Sequence, residues 1–264
     1  MPSDDIATQL RQLGFRVSLA ALRAFFDHAT HSRLGPVEAC EKLVEMERRE
    51  RESRNLAART RLATLGKFTT LDRFDWNHPR SIDRNLYESL HANLDFLERG
   101  DNVLLRGPSG VGKTTLAQNL GFAALTRGHS VRFSSLAALL TDLLRRESLP
   151  ALERALRHRY LAPKLLIIDE LGYLPCDSRS ADLLYNIVSR RHETRSVVIT
   201  TNLPFKHWGT VFPGAACVAA LVDRFVQHCH VIDIDAESWR QRSAMQQSNG
   251  RPADGQDRAR IETR

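Results

Sequence analysis

Apolar residues recur at helical spacing in the first quarter of the chain. Leu19, Leu22, Phe25 and Phe26 share one face, and nothing before residue 70 alternates like a strand. Ser3 is placed to cap a first short helix, with Asp4 and Asp5 in the turn where negative charge favours the helix dipole. Gly35-Pro36 opens a long helix predicted to run to about Leu65, because proline suits the first helical position. Its centre, EMERRERESRN at 45–55, is almost entirely charged, and Glu47/Arg51 and Glu50/Arg54 are i,i+4 pairs. Such a run is either a solvated helix face or an arm that contacts DNA or a partner.

From Asp83 the period switches back and forth. A helix over 83–99 ends at Gly100, and NVLLRG at 102–107 is a short apolar strand. A helix over 113–126, a strand over 131–134 and helices over 135–147 and 150–160 follow, the last two separated at Pro150. LLIID at 165–169 reads as a strand buried in the sheet centre. A helix over 178–195, strand SVVITT at 196–201, a helix near 215–228 and strand HVIDI at 230–234 complete the pattern. Strands alternating with helices predict an α/β fold with a central parallel sheet flanked by helices. Residues 66–82, rich in glycine, proline and turn formers, read as a linker. The polar, aperiodic residues after about 243 read as a disordered tail. The expected organisation is a helical DNA- or partner-binding domain at 1–65, a linker at 66–82, an α/β domain at 83–242 and a tail at 243–264.

Composition narrows the class. Hydrophobic residues make up 42% and charged residues 26% of the 264, as in an ordinary globular protein. The longest apolar run, residues 215–222, is far short of the ~20 needed to span a bilayer, so no membrane partner is expected. The acidic, polar start is unlike a secretory signal. Cys40, Cys176, Cys217 and Cys229 form no CxxC pair, which points to a reducing cytoplasm. His228-Cys229-His230 reads as the entry to a strand rather than a metal site. The net charge of +7 favours a polyanionic partner, and only five of the 38 basic residues are lysines.

GPSGVGKT at 107–114 matches G-x-x-x-x-G-K-[ST], follows a predicted strand and opens a predicted helix. Gly107, Gly110 and Gly112 allow a tight turn whose amides face phosphate oxygens. Pro108, Ser109 and Val111 complete the loop, and Thr115 follows it on the helix. The helix adds its positive N-terminal dipole. Lys113 is placed to reach the β- and γ-phosphates of ATP, and the Thr114 hydroxyl to ligate Mg²⁺. Asp169, 56 residues beyond Lys113, stands at the carboxyl end of its strand, where it would hold Mg²⁺ through water. Glu170 beside it would orient or deprotonate the attacking water. Asn202 ends a third strand. It either positions water against the γ-phosphate or is simply a turn residue.

With these strand ends in register the chain resembles the AAA+ ATPases of the DnaC/IstB group, and within it the IstB-like helper ATPases of insertion-sequence transposition. The likeness runs from about Leu43 to Arg242. It is carried by FDWNHPRSIDRNLYESL, GDNVLLRGPSGVGKTTLAQNLG, LLIIDELGYLP, ADLLYNIVSRRHE, VVITTNLPFKHWGTVF, LVDRF and SWRQR. The resemblance implies a P-loop AAA+ core behind a small helical domain. It makes Asn202 a sensor and Arg224, in LVDRF, an arginine finger that reaches a neighbouring subunit's nucleotide. Otherwise Arg224 is an arginine favourably near a helix C-terminus. Arg240, in SWRQR, is either a second sensor or part of an ion-pairing turn. The C-terminal lid of many AAA+ proteins is expected to be reduced or absent.

The implied function is ATP hydrolysis by a homo-oligomer, a ring or filament, that assembles on double-stranded DNA and recruits the transposase of the same element. A DnaC-like helicase loader is the alternative, and only the N-terminal region separates the two. A non-enzymatic nucleotide-binding adaptor fits poorly with Lys113, Asp169 and Glu170 all intact. A metabolite kinase would not need the paired acids. Trp208 and Trp239 read as packing anchors, or as a stacking surface for a base if exposed.

Overall fold

The computed structural model describes residues 5–173, 176–236 and 239. The chain forms two compact units, Met1–Leu62 and Ala63–Arg264. The described residues of the first form α1 (Ile6–Gln12), α2 (Leu19–His31) and α3 (Pro36–Ala63). Ser3 lies outside the described residues; the Asp5 carboxylate caps α1 by accepting from the Ala7 amide at 3.2 Å. Ala7, Val17 and Leu22 form a small core with Leu43 and Met46 of α3 packed against it. The charged centre of α3 is more than a solvated face. Glu47 is buried, and its carboxylate accepts the amides of Arg16 (2.7 Å) and Val17 (3.1 Å) while pairing with Arg51. Burial opposes its charge, but those three donors outweigh it and lower its pKa.

The second unit runs in the order β1 (Ser81–Ile82), α4 (Arg84–Asn93), α5 (Asp95–Arg99), β2 (Asn102–Arg106), α6 (Lys113–Thr126), β3 (Val131–Ser135), α7 (Leu136–Leu144) and α8 (Leu149–Ala155). β4 (Leu165–Leu171), α9 (Ser178–Arg191), β5 (Ser196–Thr201), α10 (Trp208–Val211), α11 (Val218–Val226) and β6 (Cys229–Asp235) follow. The six strands lie in the order β1-β6-β2-β5-β4-β3. All pair in parallel except β1, which runs antiparallel to β6. Alternation along β4 sends Leu166 and Ile168 into the core shared with α7, α9 and α11, while Ile167 faces Gly121 of α6 on the other side.

Several local readings change. β4 is not at the sheet centre but second from an edge, with β5 between it and β2. The helix expected over 83–99 breaks at Leu94, which takes a left-handed conformation (φ 58°) while its side chain is buried. Tertiary burial of Leu94, Phe96 and Leu97 overrides helix propensity there. Pro150 sits inside the first turn of α8, and a wider π-helical turn, Leu156–Leu161, continues it. β1, too short to leave a pattern, was not expected. Among the described residues no helix is long and apolar enough to cross a membrane.

Asp142 of α7 joins this unit's helices. Its carboxylate accepts from Arg145 (2.8 Å), Arg146 (2.5 Å), Arg159 (2.9 Å) and the Tyr160 hydroxyl (2.9 Å). Burial alone would raise its pKa, but the Tyr160, Arg146 and Arg159 donors hold it at about 2. A carboxyl depressed on folding stabilises above its unfolded pKa and loses that contribution as pH falls through the folded value. Asp142→Asn is therefore expected to cost about 2 kcal/mol at pH 7, a deficit that shrinks between about pH 5 and pH 2. Denaturant unfolding of both proteins across that range measures it; a constant deficit would contradict the assignment.

Candidate functional site

The P-loop turns between β2 and α6. Gly112, at φ 94°, is the N-cap of α6, and no side chain caps the helix there, so its first-turn amides face the turn. Two glycines are required for different reasons. A Cβ on Gly107 would collide with the Ile234 carbonyl of β6, and one on Gly112 would lie 2.6 Å from the Phe74 ring. Lys113 is buried, and its ammonium donates to the carbonyls of Gly107 (2.8 Å) and Pro108 (2.5 Å).

Although β5 lies between β2 and β4, the hydroxyl of Thr114, on the first turn of α6, lies 3.1 Å from both oxygens of buried Asp169. β4 carries a bulge between Ile168 and Leu171. Glu170 lies in it at φ 63°, the left-handed region that a non-glycine residue rarely enters, and its side chain is exposed. Its amide donates to the Thr200 hydroxyl at 3.0 Å, and that hydroxyl donates to Asp169. Thr114 and Asp169 thus offer adjacent hard oxygen donors, the chemistry that suits Mg²⁺.

A cavity of about 280 Å³ adjoins this corner. Residues 109–115, Glu170 and Thr200 form one side of it. The other side is built by Thr69, Arg73, Phe74, Asp75, His78 and Tyr173, none of them expected there, and by Trp239, which is exposed rather than a buried packing anchor. The 66–82 segment is tied down by α6, where buried Gln118 donates to the Leu65 carbonyl (2.7 Å) and Asn119 to the Thr69 carbonyl (2.9 Å). Trp76 packs against Phe74 and Tyr87, with centroids 4.9 and 5.6 Å apart, and the Arg84 guanidinium lies over its ring. The Tyr87 phenol, pushed up in pKa by burial, donates to the Leu116 carbonyl of α6. His78 meets Trp239 edge-on at 4.9 Å, and the Trp239 amide donates to the Gly110 carbonyl. The sequence signal was the aromatic-rich FDWNH inside a segment of linker composition.

The remaining predicted residues lie elsewhere. Exposed Asn202 follows β5 and lines a shallow depression with Gly107, Pro108 and Ser109, outside the main cavity. Half-buried Arg224 is on α11 and does not line its own chain's cavity. Trp208 is fully buried against Phe205 and Phe225, a packing anchor. Arg240 and the region of the expected lid lie outside the described residues.

A largely parallel sheet in this strand order, with a P-loop after β2 and an acidic pair closing β4, defines a P-loop protein of the AAA+ class. Comparison with known proteins is more specific: the chain belongs to the family of IstB-like ATP binding proteins, whose model matches residues 8–247. It is 38% identical over 190 residues to an insertion sequence IS21 putative ATP-binding protein of Pseudomonas aeruginosa, covering 72% of this chain and 71% of that one. It is 34% identical over 235 residues to the IS232 counterpart of Bacillus thuringiensis subsp. berliner, covering 89% and 93%. Its fold is similar to that of the DnaC helicase loader (TM-score 0.51, 20% identity, 63% of this chain and 96% of that one). It is also similar to that of the replication initiator DnaA bound to AMPPCP and single-stranded DNA (TM-score 0.53, 20% identity, 72% of this chain). This chain spans 58% of the DnaA chain's length.

Proposed function

We propose that this protein is a Mg²⁺-dependent ATPase that assembles on double-stranded DNA and recruits or stimulates the transposase of its own insertion sequence. The observation that carries the hydrolytic half is the corner where Thr114, Asp169 and Glu170 meet beside the first-turn amides of α6. The P-loop amides and Lys113 would grip the triphosphate. Thr114 and Asp169 would hold Mg²⁺, which neutralises phosphate charge when bound. Glu170 would take a proton from water as its oxygen attacks the γ-phosphorus and the bond to the β-phosphate oxygen breaks, giving ADP and phosphate. Phe74, His78 and Trp239 would form an aromatic wall for the base. Phe74→Ala is expected to raise the ATP Kd about 10-fold with kcat little changed, as loss of one aromatic stacking partner of 1–3 kcal/mol implies. A fluorescence titration measures it.

Arg224 and Asn202 are assigned by the family likeness. Because Arg224 does not line its own chain's cavity, its role would be in trans, on a neighbouring subunit's phosphates in a ring or filament. Arg224→Ala is expected to lower turnover by about 10³-fold. Mixing it with Lys113→Ala subunits should restore part of that turnover, since an intact site then meets an intact finger. No recovery in an assembled mixture would exclude trans action.

The DNA-binding and transposase halves rest on the insertion-sequence relatives, which match most of the chain, and on its net charge of +7. The helicase-loader reading has only a fold likeness behind it. Acting on such partners would place the protein in the cytoplasm, as the scattered cysteines also suggest. The test is sedimentation on duplex DNA with and without ATP, followed by capture of the element's transposase or of a replicative helicase. Assembly only with ATP and capture of the transposase are expected; capture of the helicase alone would overturn the reading.

A further inference from the structure

Thr200 stands where two functional groups of another strand converge. It belongs to β5, is 1% exposed and lines the cavity beside the P-loop. Its hydroxyl has one proton and accepts through its lone pairs, and both capacities are engaged: it donates to Asp169 Oδ1 and accepts from the Glu170 amide at 3.0 Å. The Glu170 amide is released from the regular ladder by the bulge, which sets Asp169 and Glu170 together opposite the single residue Thr200. A half-buried donor left unpaired there would cost free energy, and a left-handed glutamate is itself strained. The Thr200 hydroxyl offsets both. The adjacent Thr201 hydroxyl donates to the Leu171 carbonyl at 2.7 Å, fixing the far side of the same bulge.

We infer that Thr200 is the positioning residue of the hydrolytic site: its hydroxyl holds the Glu170 backbone in the left-handed bulge and the Asp169 carboxylate toward Thr114, so that the two acids act as one unit. This rests on the hydrolytic reading given above. A hydroxyl on β5 also ties the acidic pair to the strand that ends in Asn202, so displacement of that strand end would be transmitted to both acids.

Thr200→Val keeps the shape and removes both hydrogen bonds; Thr200→Ser keeps both. Phosphate release and equilibrium ATP binding are measured on the full chain, beside wild type and Glu170→Gln. Thr200→Val is expected to lower kcat at least about 10-fold with the ATP Kd within about twofold, and Thr200→Ser to recover most of the rate. The double variant Thr200→Val/Glu170→Gln is expected to lose clearly less than the product of the two single losses, because the part of the Thr200 effect that acts through Glu170 is already gone and only its hold on Asp169 is left. A kcat within about twofold of wild type for Thr200→Val, no recovery with Thr200→Ser, or fully multiplicative losses in the double variant would each overturn the inference. Should Thr200→Val not fold, Thr200→Ala removes the same bonds at smaller volume and is read by the same criteria. Absence of hydrolysis in wild type would instead sink the underlying reading of the site.

Discussion

Lys113→Ala is expected to lower kcat/KM for ATP by at least about 10³-fold while leaving the fold intact. Lys113 is 5% exposed and its ammonium is held by two loop carbonyls, so its charge acts where water screens little. Removing it takes away the positive charge on which the β- and γ-phosphates would lie, the part of the site whose contribution grows as charge develops in the transition state. The opposing consideration is stability, since the Gly107 and Pro108 carbonyls lose a donor. Pro108 is exposed and Gly107 half-buried, so water can replace the ammonium, and a buried cation no longer needs compensation. The melting temperature should therefore move by only a few degrees while turnover collapses. Turnover at the wild-type rate would remove the P-loop from the chemistry.

Glu170→Gln is expected to separate binding from cutting. Glutamine keeps the size of the side chain and leaves the backbone bond to Thr200 untouched, so the bulge should persist. What it loses is the ability to take a proton, and general-base contributions of that kind are worth about 10²–10⁴-fold in rate. Glu170 is exposed within the cavity, so neutralising it also removes a negative charge facing a polyanionic ligand. The ATP Kd should stay the same or fall. If ATP-bound subunits are the ones that assemble, this variant should form persistent complexes on duplex DNA. Single-turnover phosphate release, paired with a binding titration, separates the two effects. Loss of binding with unchanged single-turnover rate would contradict the general-base role.

The parts of this molecule legible from the sequence are those written in contiguous residues. The P-loop announces itself because one turn must carry its glycines, lysine and threonine together. β4 is visible because LLII is apolar on both faces, as a strand covered on both sides must be. That Thr114 and Asp169 stand 3.1 Å apart follows from the rule that parallel strands present their carboxyl ends together. Strand order escaped, since nothing local says that β5 enters between β2 and β4. Phe74 and His78 escaped for the same reason, whereas Trp239, one of two tryptophans weighed as an anchor or an exposed stacking surface, is exposed and lines the cavity. The meaning of Phe74 and His78 lies in contacts with Gly112 and Trp239, far away in the chain, and turn composition hid them. Thr200 looked like an ordinary β-branched strand residue. Its function depends on a bulge in another strand.

Wild-type protein titrated with ATP in Mg²⁺ and again in EDTA, with phosphate release followed in the same samples, tests the nucleotide site most directly. Saturable uptake that weakens when the metal is chelated, followed by phosphate release only in its presence, is expected. No saturable uptake, or equal release with and without chelator, would contradict a triphosphate held at the β2–α6 corner and cut beside Asp169.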